Sequence, residues 1–491
     1  MSRLLTCTGI AIAMAAAPAH AQNAFVADLR GASENPPVAS PGSGSALVLF
    51  DSAFQTMSVR TTFSGLTTPT VDAHIHCCVP PTSNAVVAVG FTPAGFPLGQ
   101  TTGQFSANFD LNNAATYNPT FVAANGGTAA SARTALINGT QGGLAYVNIH
   151  TTRFPAGEIR GQLVASSELS PQAYGLLPEV TLQTAEFQDS TIRRYLRDVR
   201  SGGGGLDGQT ATFGKDGKIG MFLIAGARTG EFEGRASRPE VDLGSTAVIA
   251  GVDFRKGSGT LIGVMAGYDS SDARLTPNSR QSRIKSWFAG AYGSAALGPA
   301  HLDLHASYGK SDYDLFRHIS IPAFTAESVA DSESKQWMLA ATVGLSLETP
   351  GFEIEPYAGA RYVNLDLDAF TEAGNLAALT IDAADIESLQ SIAGLRAVAD
   401  IPVGLVSVRP AVRGEWRHEF KNDDPRLITG SFGGIAPFAF ATTPLRDDYL
   451  VIGAELAISG AGPLAFVADY NGQLGGGYEI HALTLGARLT F

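Results

Sequence analysis

The sequence predicts an all-β protein in two unlike parts: a small β-sandwich, then, after a linker helix, a twelve-stranded transmembrane β-barrel. Three observations predict it. Beyond about residue 214, apolar and polar side chains alternate with period two over long runs separated by short turns. Lysine is absent before Lys215, so composition changes where the pattern does. Only 16% of residues are charged while Gly numbers 56, a balance that suits strands better than long helices.

The chain opens with MSRLLTCTGIAIAMAAAPAHAQ. Arg3, an apolar stretch and Ala19-His20-Ala21 read as a secretory signal peptide over residues 1–21, cut before Gln22. The apolar run is well short of the ~18 residues of a membrane anchor. With no other stretch long and apolar enough for a transmembrane helix, the exported chain either stays soluble or crosses a membrane with strands. After processing, Cys77 and Cys78 are the cysteines left, which excludes a scaffold stapled by many disulfides. A net charge of -12 argues against nucleic acid as a partner.

Residues 22–165 carry short alternating runs, such as SALVLFD and AYVNIH, joined by Gly, Pro and Asn turns, as in a sandwich. FPAGEIRG signals a hairpin, with Gly157 in the turn and Glu158 and Arg160 on one face. Residues 166–213 form the linker. Within it, Leu182, Ala185, Ile192, Leu196 and Val199 fall near helical spacing over 182–200. Arg193, Arg194, Arg197 and Arg200 crowd the C-terminal end, where the helix dipole favours cations. Such a helix spans ~28 Å. Asp189 or Ser190 can instead cap a shorter helix of about ten residues. The Gly run at 202–205 ends either one.

Residues 214–491 supply the barrel strands, near 218, 245, 259, 284, 300, 334, 352, 387, 405, 447, 463 and 479. Each is long enough for the roughly 9–11 residues of a membrane crossing. In GLVSVRPAVRGEWRHEF, Val406, Val408, Pro410, Val412, Trp416 and Phe420 share one face. Arg409, Arg413, Glu415, Arg417 and Glu419 share the other and are expected to line the lumen. Tyr268, Tyr292, Tyr308, Tyr362, Trp416 and Tyr470 fall towards strand ends, as interfacial girdles do. The chain stops on HALTLGARLTF, whose Leu489 and Phe491 share a face. A terminal aromatic on an alternating strand is the ending that barrel-assembly machinery reads.

On STIRRYLRDVRSG, STAVIAGVDFRKGSGTLIGVMAGY, SWFAGAYGSA, FEIEPYAGARYVNLD and the terminal ARLTF, residues 180–491 resemble the autotransporter β-domain family of type V secretion. The resemblance implies a barrel in the outer membrane of a Gram-negative bacterium, with outer-membrane lipid as its partner and a helix in its pore. It also implies that whatever precedes the barrel is carried to the cell surface. On FVADLRGASENPPV, GSGSALVLFD, VDAHIH and YVNIHTTRFPAGEIRGQL, residues 24–165 resemble the CHRD domain family, first described in chordin. That resemblance implies an immunoglobulin-like β-sandwich with remote likeness to superoxide dismutase. The sequence departs from the family mainly at Cys77-Cys78, where a small residue is expected.

The chemistry-bearing stretch is VDAHIHCCVPP. His74 and His76 are two apart on a strand, so both imidazoles point to one face. His150 ends the strand AYVNIH and joins them if the two strands are neighbours. Three imidazoles on paired strands suit Zn or Cu, and superoxide dismutase also uses a His-x-His strand. The plainer reading has these histidines bonded to backbone or to Glu158. Cys77-Cys78 reads as a vicinal disulfide, as thiolates added to a metal site, or as an incidental pair. GxSxG, HExxH and phosphate-loop motifs are missing from residues 22–180. The expectation is an autotransporter that displays a non-enzymatic binding or adhesion module, with an unidentified extracellular ligand and no cofactor. The rivals are a surface metal-binding protein or metalloenzyme using His74, His76 and His150, and a barrel with a periplasmic passenger.

Deleting Phe491 should sharply lower the amount of heat-modifiable barrel in the outer membrane. Unchanged assembly would count against the outer-membrane reading.

Overall fold

The computed structural model describes residues 24–165, 174–200 and 212–489, except 52, 176, 214–218, 233–239, 257–259, 276–281, 322–323, 374–377, 422–426, 433–435, 442–446, 461–463 and 476–477. The expected signal peptide, the Gly run at 202–205 and Phe491 lie outside the described residues.

Nine strands form the N-terminal domain: β1 (Ala24–Arg30), β2 (Ser43–Phe50), β3 (Thr56–Ser64), β4 (Thr70–His76), β5 (Val87–Gly90), β6 (Gly103–Asp110), β7 (Tyr146–Thr151), β8 (Ile159–Gln162) and β9 (Val164–Ala165). Their order is β5-β4-β7-β8-β1-β2-β3-β6, with β9 beside β1. At β8 and β1 the ladder narrows to the pair Arg30↔Arg160, and the order bends there into two layers. Phe25, Ala27, Leu29 and Val48 of one layer and Ala73, Ile75, Val147 and Ile149 of the other share one buried cluster. Two helices escape the sequence pattern: α1 (Pro119–Ala124) and α2 (Ala129–Gln141). Asn118 caps α1, and Thr128 with Ser131 closes a capping box on α2. Among its hydrophobic residues α2 fully buries Ala132 and Leu136, too few for a readable apolar face.

The barrel strands are β10 (Ile219–Phe232), β11 (Val241–Lys256), β12 (Thr260–Leu275), β13 (Ser282–Leu297), β14 (Ala300–Ile321), β15 (Phe324–Leu345), β16 (Phe352–Leu367), β17 (Ala384–Ala399), β18 (Val406–Glu419), β19 (Asp448–Gly460), β20 (Leu464–Leu474) and β21 (Tyr478–Leu489). Each pairs antiparallel with the next, and β10 pairs with β21 from Leu223↔Ala487 to Phe232↔Tyr478, so the barrel closes. The backbone of Leu489 takes part in β21, opposite Leu464. Alternation sorts the faces: Leu223, Ile262, Val264, Leu339, Val412 and Leu485 are more than half exposed on the outside, while Glu355, Arg361, Glu415 and Arg417 are buried inside. Tyr292 departs from the expected girdle. It lies on the parity of Phe288 and Ser294 and is buried in the lumen against Tyr195.

The linker helix α3 spans Leu177–Arg200, so it begins earlier than expected. Pro178 sits in the first turn, where its missing N–H costs little. Asp189 and Ser190 lie mid-helix rather than capping it. From Leu177 to Asp198 every residue of the helix but the half-buried Ser190 is buried, and at 1.5 Å per residue the helix is about 36 Å long, enough to cross the ~30 Å hydrocarbon layer.

Charge pairing holds it. Arg193 reaches Asp189 at 3.0 Å and Glu415 at 3.2 Å, and Glu186 pairs with Arg361 and Arg417. The ends of α3 differ in surroundings. Arg200 bonds Asp303 and Glu355, near the short turns at 298–299 and 346–351. Upstream of the helix, Tyr174 bonds Glu372 in the long connection 368–383. At that same mouth Phe370–Thr371, Leu379–Ile381, Leu427–Phe432 and Ala436–Ala441 form a small sheet. Val26, Leu47 and Leu49 of the N-terminal domain share a buried cluster with Leu177, Phe370, Leu379 and Ile381.

Glu415→Ala should cost about 3 kcal/mol, because Arg193 and Arg417 each lose a buried partner. Heat-modifiability in detergent would show it as a lower midpoint for the folded barrel. An unchanged midpoint would contradict the pairing as the source of the helix's hold.

Candidate functional site

Strands β4 and β7 pair antiparallel in the register Asp72↔His150, His74↔Asn148 and His76↔Tyr146. Period two then sends Ala73, Ile75, Val147 and Ile149 to the core and gathers Asp72, His74, His76, Tyr146, Asn148 and His150 on the opposite face. Next to Asn148, β8 adds Arg160.

This outer face is roofed. The Arg160 guanidinium donates to Asn84 Oδ1 at 2.9 Å, to Pro81 O at 2.8 Å and to Ser83 O at 2.9 Å. Asn35 donates to Thr82 O at 2.8 Å, and Asn84 donates back to Asn35 O at 2.9 Å. Under the roof Tyr146 is sandwiched, with the His76 ring 4.7 Å away and nearly parallel and the Arg160 guanidinium 3.6 Å from its centroid. His76 and His150 are thereby left 9% and 8% exposed although they point away from the core.

The three imidazoles converge, with ring centroids 4.9 Å (His74–His150), 5.5 Å (His74–His76) and 6.3 Å (His76–His150) apart. One ring nitrogen of each is engaged: His74 Nε2 with Asp72 Oδ2 at 2.7 Å, His76 Nδ1 with Ala85 O at 2.9 Å, and His150 Nδ1 with Pro155 O at 3.0 Å. Carboxylate and carbonyl oxygens accept, so these nitrogens donate. The other nitrogens, His74 Nδ1, His76 Nε2 and His150 Nε2, are buried without a hydrogen-bond partner. Ring nitrogens of the three histidines come within 4.8 Å of one another. Burial pushes His76 down to about 4 and lowers His150 as well, so both stay neutral at ordinary pH.

Sequence reasoning offered Glu158 as a partner for these histidines. The structure corrects this: Glu158 accepts from Ser40 at 2.6 Å, Thr67 N at 2.7 Å and Thr151 at 2.6 Å. The buried carboxyl nearer the site is Glu34, which accepts from Asn148 Nδ2 at 3.4 Å and is pushed up to about 7 by burial. Gly157 walls that corner at φ 127°, and a Cβ there would fall 2.6 Å from Asn148 and 2.7 Å from Glu34. The sequence identified Gly157 as a turn residue but not as part of this wall. Tyr146 and Asn148 share parity with His150 in AYVNIH, a signal that sequence reasoning left unused. Glu34 and the roof residues carry no such signal.

Cys77 and Cys78, directly after His76, are bonded to each other as a vicinal disulfide. The pair lies against α2 at Gly139, where a Cβ would meet their sulfurs at 2.3 and 2.4 Å. Beside His74 a cleft lined by Asp72, Thr92, Gly90 and Tyr117 opens to the surface.

The autotransporter beta-domain family matches residues 221–471, and the CHRD domain family matches residues 25–163. Among solved structures, the translocator domain of autotransporter NalP from Neisseria meningitidis is similar at 17% identity and a TM-score of 0.47, covering 64% of this chain and 100% of that one. The beta domain of the Bordetella autotransporter Brka shows 18% identity and a TM-score of 0.43, covering 56% of this chain and 100% of that one. The transport unit of the autotransporter AIDA-I from Escherichia coli shows 12% identity and a TM-score of 0.35, covering 57% and 92%. No curated protein matches the chain at a significant level.

Glu34 has the ordinary value of 4.5 when unfolded and about 7 when folded. Its folded form binds the proton more tightly, so its stabilising contribution is complete below 4.5 and is lost as pH rises through 7. Glu34→Gln should therefore stabilise the N-terminal domain at pH 8 by roughly 3 kcal/mol relative to its effect near pH 4.5. Calorimetry of the full chain at the two pH values checks it, and equal shifts at both would contradict a buried, proton-binding Glu34. Gly139→Ala should destabilise the same transition by about 1–3 kcal/mol, since neither sulfur of the pair can withdraw from a new methyl group.

Proposed function

The chain belongs to the autotransporter family, its β-domain covering residues 221–471, and from that membership we propose that it holds its N-terminal CHRD domain outside the cell on a helix fixed in the barrel. The family places the barrel in the outer membrane. The observation that carries the proposal is the direction of α3. Outer-membrane barrels turn tightly on the periplasmic side and carry their longer connections outside. Here 298–299 and 346–351 mark the tight mouth and 368–383 and 420–447 the long one. Helix α3 starts at the long mouth and ends at the tight one. The domain that precedes it therefore leaves by the outer mouth.

Each step has its residues in this reading. Strand β10 begins and β21 ends at the tight mouth, so a segment displayed outside has to pass through the lumen before β10 begins. Folding of the barrel and pairing of its charges with α3 lock that segment in place, and no cofactor takes part. Contacts of Val26, Leu47 and Leu49 with the mouth support retention of the domain on the barrel. So held, the CHRD domain serves as a binding module facing the medium.

Proteinase added to intact cells should remove the N-terminal domain and leave a barrel fragment of roughly the residues after 180. A domain that is cut only after the outer membrane is broken would favour a periplasmic passenger instead.

A further inference from the structure

The outer face of β4 and β7 combines features that no adhesive surface requires. His76 and His150 are more than nine-tenths buried, yet each keeps one ring nitrogen without a hydrogen-bond partner, and His74 does the same. A buried polar atom left unpaired is destabilising. Here three such atoms belong to rings that converge on one another.

We propose that His74, His76 and His150 form a three-histidine binding site for a late first-row metal ion, zinc or copper. The donor set is three imidazoles with no thiolate, because Cys77 and Cys78 are bonded to each other. Imidazole donors suit zinc and copper, whereas magnesium and calcium demand oxygen ligands.

The support behind each ring fits the same reading. Ligating histidines in metal sites donate their other N–H to a carboxylate or a backbone carbonyl, which fixes tautomer and orientation. Asp72, the Ala85 carbonyl and the Pro155 carbonyl do this for His74, His76 and His150 in turn. Asp72 is itself held by Thr92 and by the Ala73 amide at 2.9 Å. It acts as a positioning residue. Two ligands two apart on β4 and one on its partner β7 give a rigid frame. The cleft beside His74 is the entry path. Three protein ligands leave a further coordination position for a small ligand.

The test uses the full chain, purified in detergent and stripped with chelator, then titrated with Zn2+ and separately with Cu2+. One ion per chain is expected, with a rise in the melting temperature of the N-terminal domain. Bound Cu2+ should show nitrogen couplings in its electron paramagnetic resonance spectrum, and competition between the two ions identifies the preferred metal. His76→Ala and His150→Ala should each weaken binding more than ~100-fold. Asp72→Asn should weaken it ~10–100-fold while leaving the chelated protein's melting temperature near wild type. Wild-type chain that takes up no ion and melts alike with metal and with chelator would overturn the proposal, whether or not the variants fold. So would stoichiometric binding that survives both histidine substitutions.

Discussion

A closed barrel buries the charges that point into its lumen; some pair across the wall, as Arg228 does with Asp269 and Arg413 with Asp469, and α3 pairs a central group of the others. Glu186 and Asp189 of the helix lie among Arg193, Arg361 and Arg417, while Glu415 faces Arg193 from the wall. Arg361 comes from β16, and Glu415 and Arg417 come from β18. A buried ion that loses its partner is strongly destabilising, so the helix and the wall each need the other. That mutual requirement fixes the depth and the direction of the helix, and the direction decides which mouth the preceding chain leaves by.

The N-terminal domain follows a different logic. Its core is an ordinary apolar cluster between two layers of strands, and it could carry any surface chemistry. The unusual feature is the roof that Arg160, Asn35 and Asn84 hold over an outward-facing strand pair. It buries polar side chains that a sandwich normally leaves in water. The roofed histidines set this domain apart from an ordinary sandwich.

Period two made the barrel legible. Most strand starts and the split of Arg413, Glu415 and Arg417 from Val412 and Trp416 follow from alternation; the strand expected near 334 begins at Phe324, because it runs well beyond the roughly 9–11 residues that a membrane crossing needs. Tyr292 lies near a strand end but faces the lumen, because parity and not position along the strand decides which way a side chain points. The apolar spacing marks α3 only from Leu182, whereas the helix starts at Leu177, with Pro178 tolerated in its first turn. Helices α1 and α2 were illegible because Ser, Thr, Ala and Asn there resemble a loop and the cues lie in caps. Of the site, His74 and His76 were readable as one face, but the place of His150 beside them depends on β4 and β7 being neighbours in one particular register. Glu34, Asn148 and the roof come from contacts across more than 40 residues of sequence, which no local pattern encodes.

A membrane-impermeant maleimide reads the sidedness of the chain directly. Single cysteines would be added at Gln100→Cys in the N-terminal domain, Thr371→Cys at the long mouth and Glu348→Cys at the tight mouth, all exposed positions. On intact cells the account predicts labelling of the first two, and of Glu348→Cys only after the outer membrane is permeabilised. Labelling of Glu348→Cys on intact cells, with Gln100→Cys protected, would contradict it.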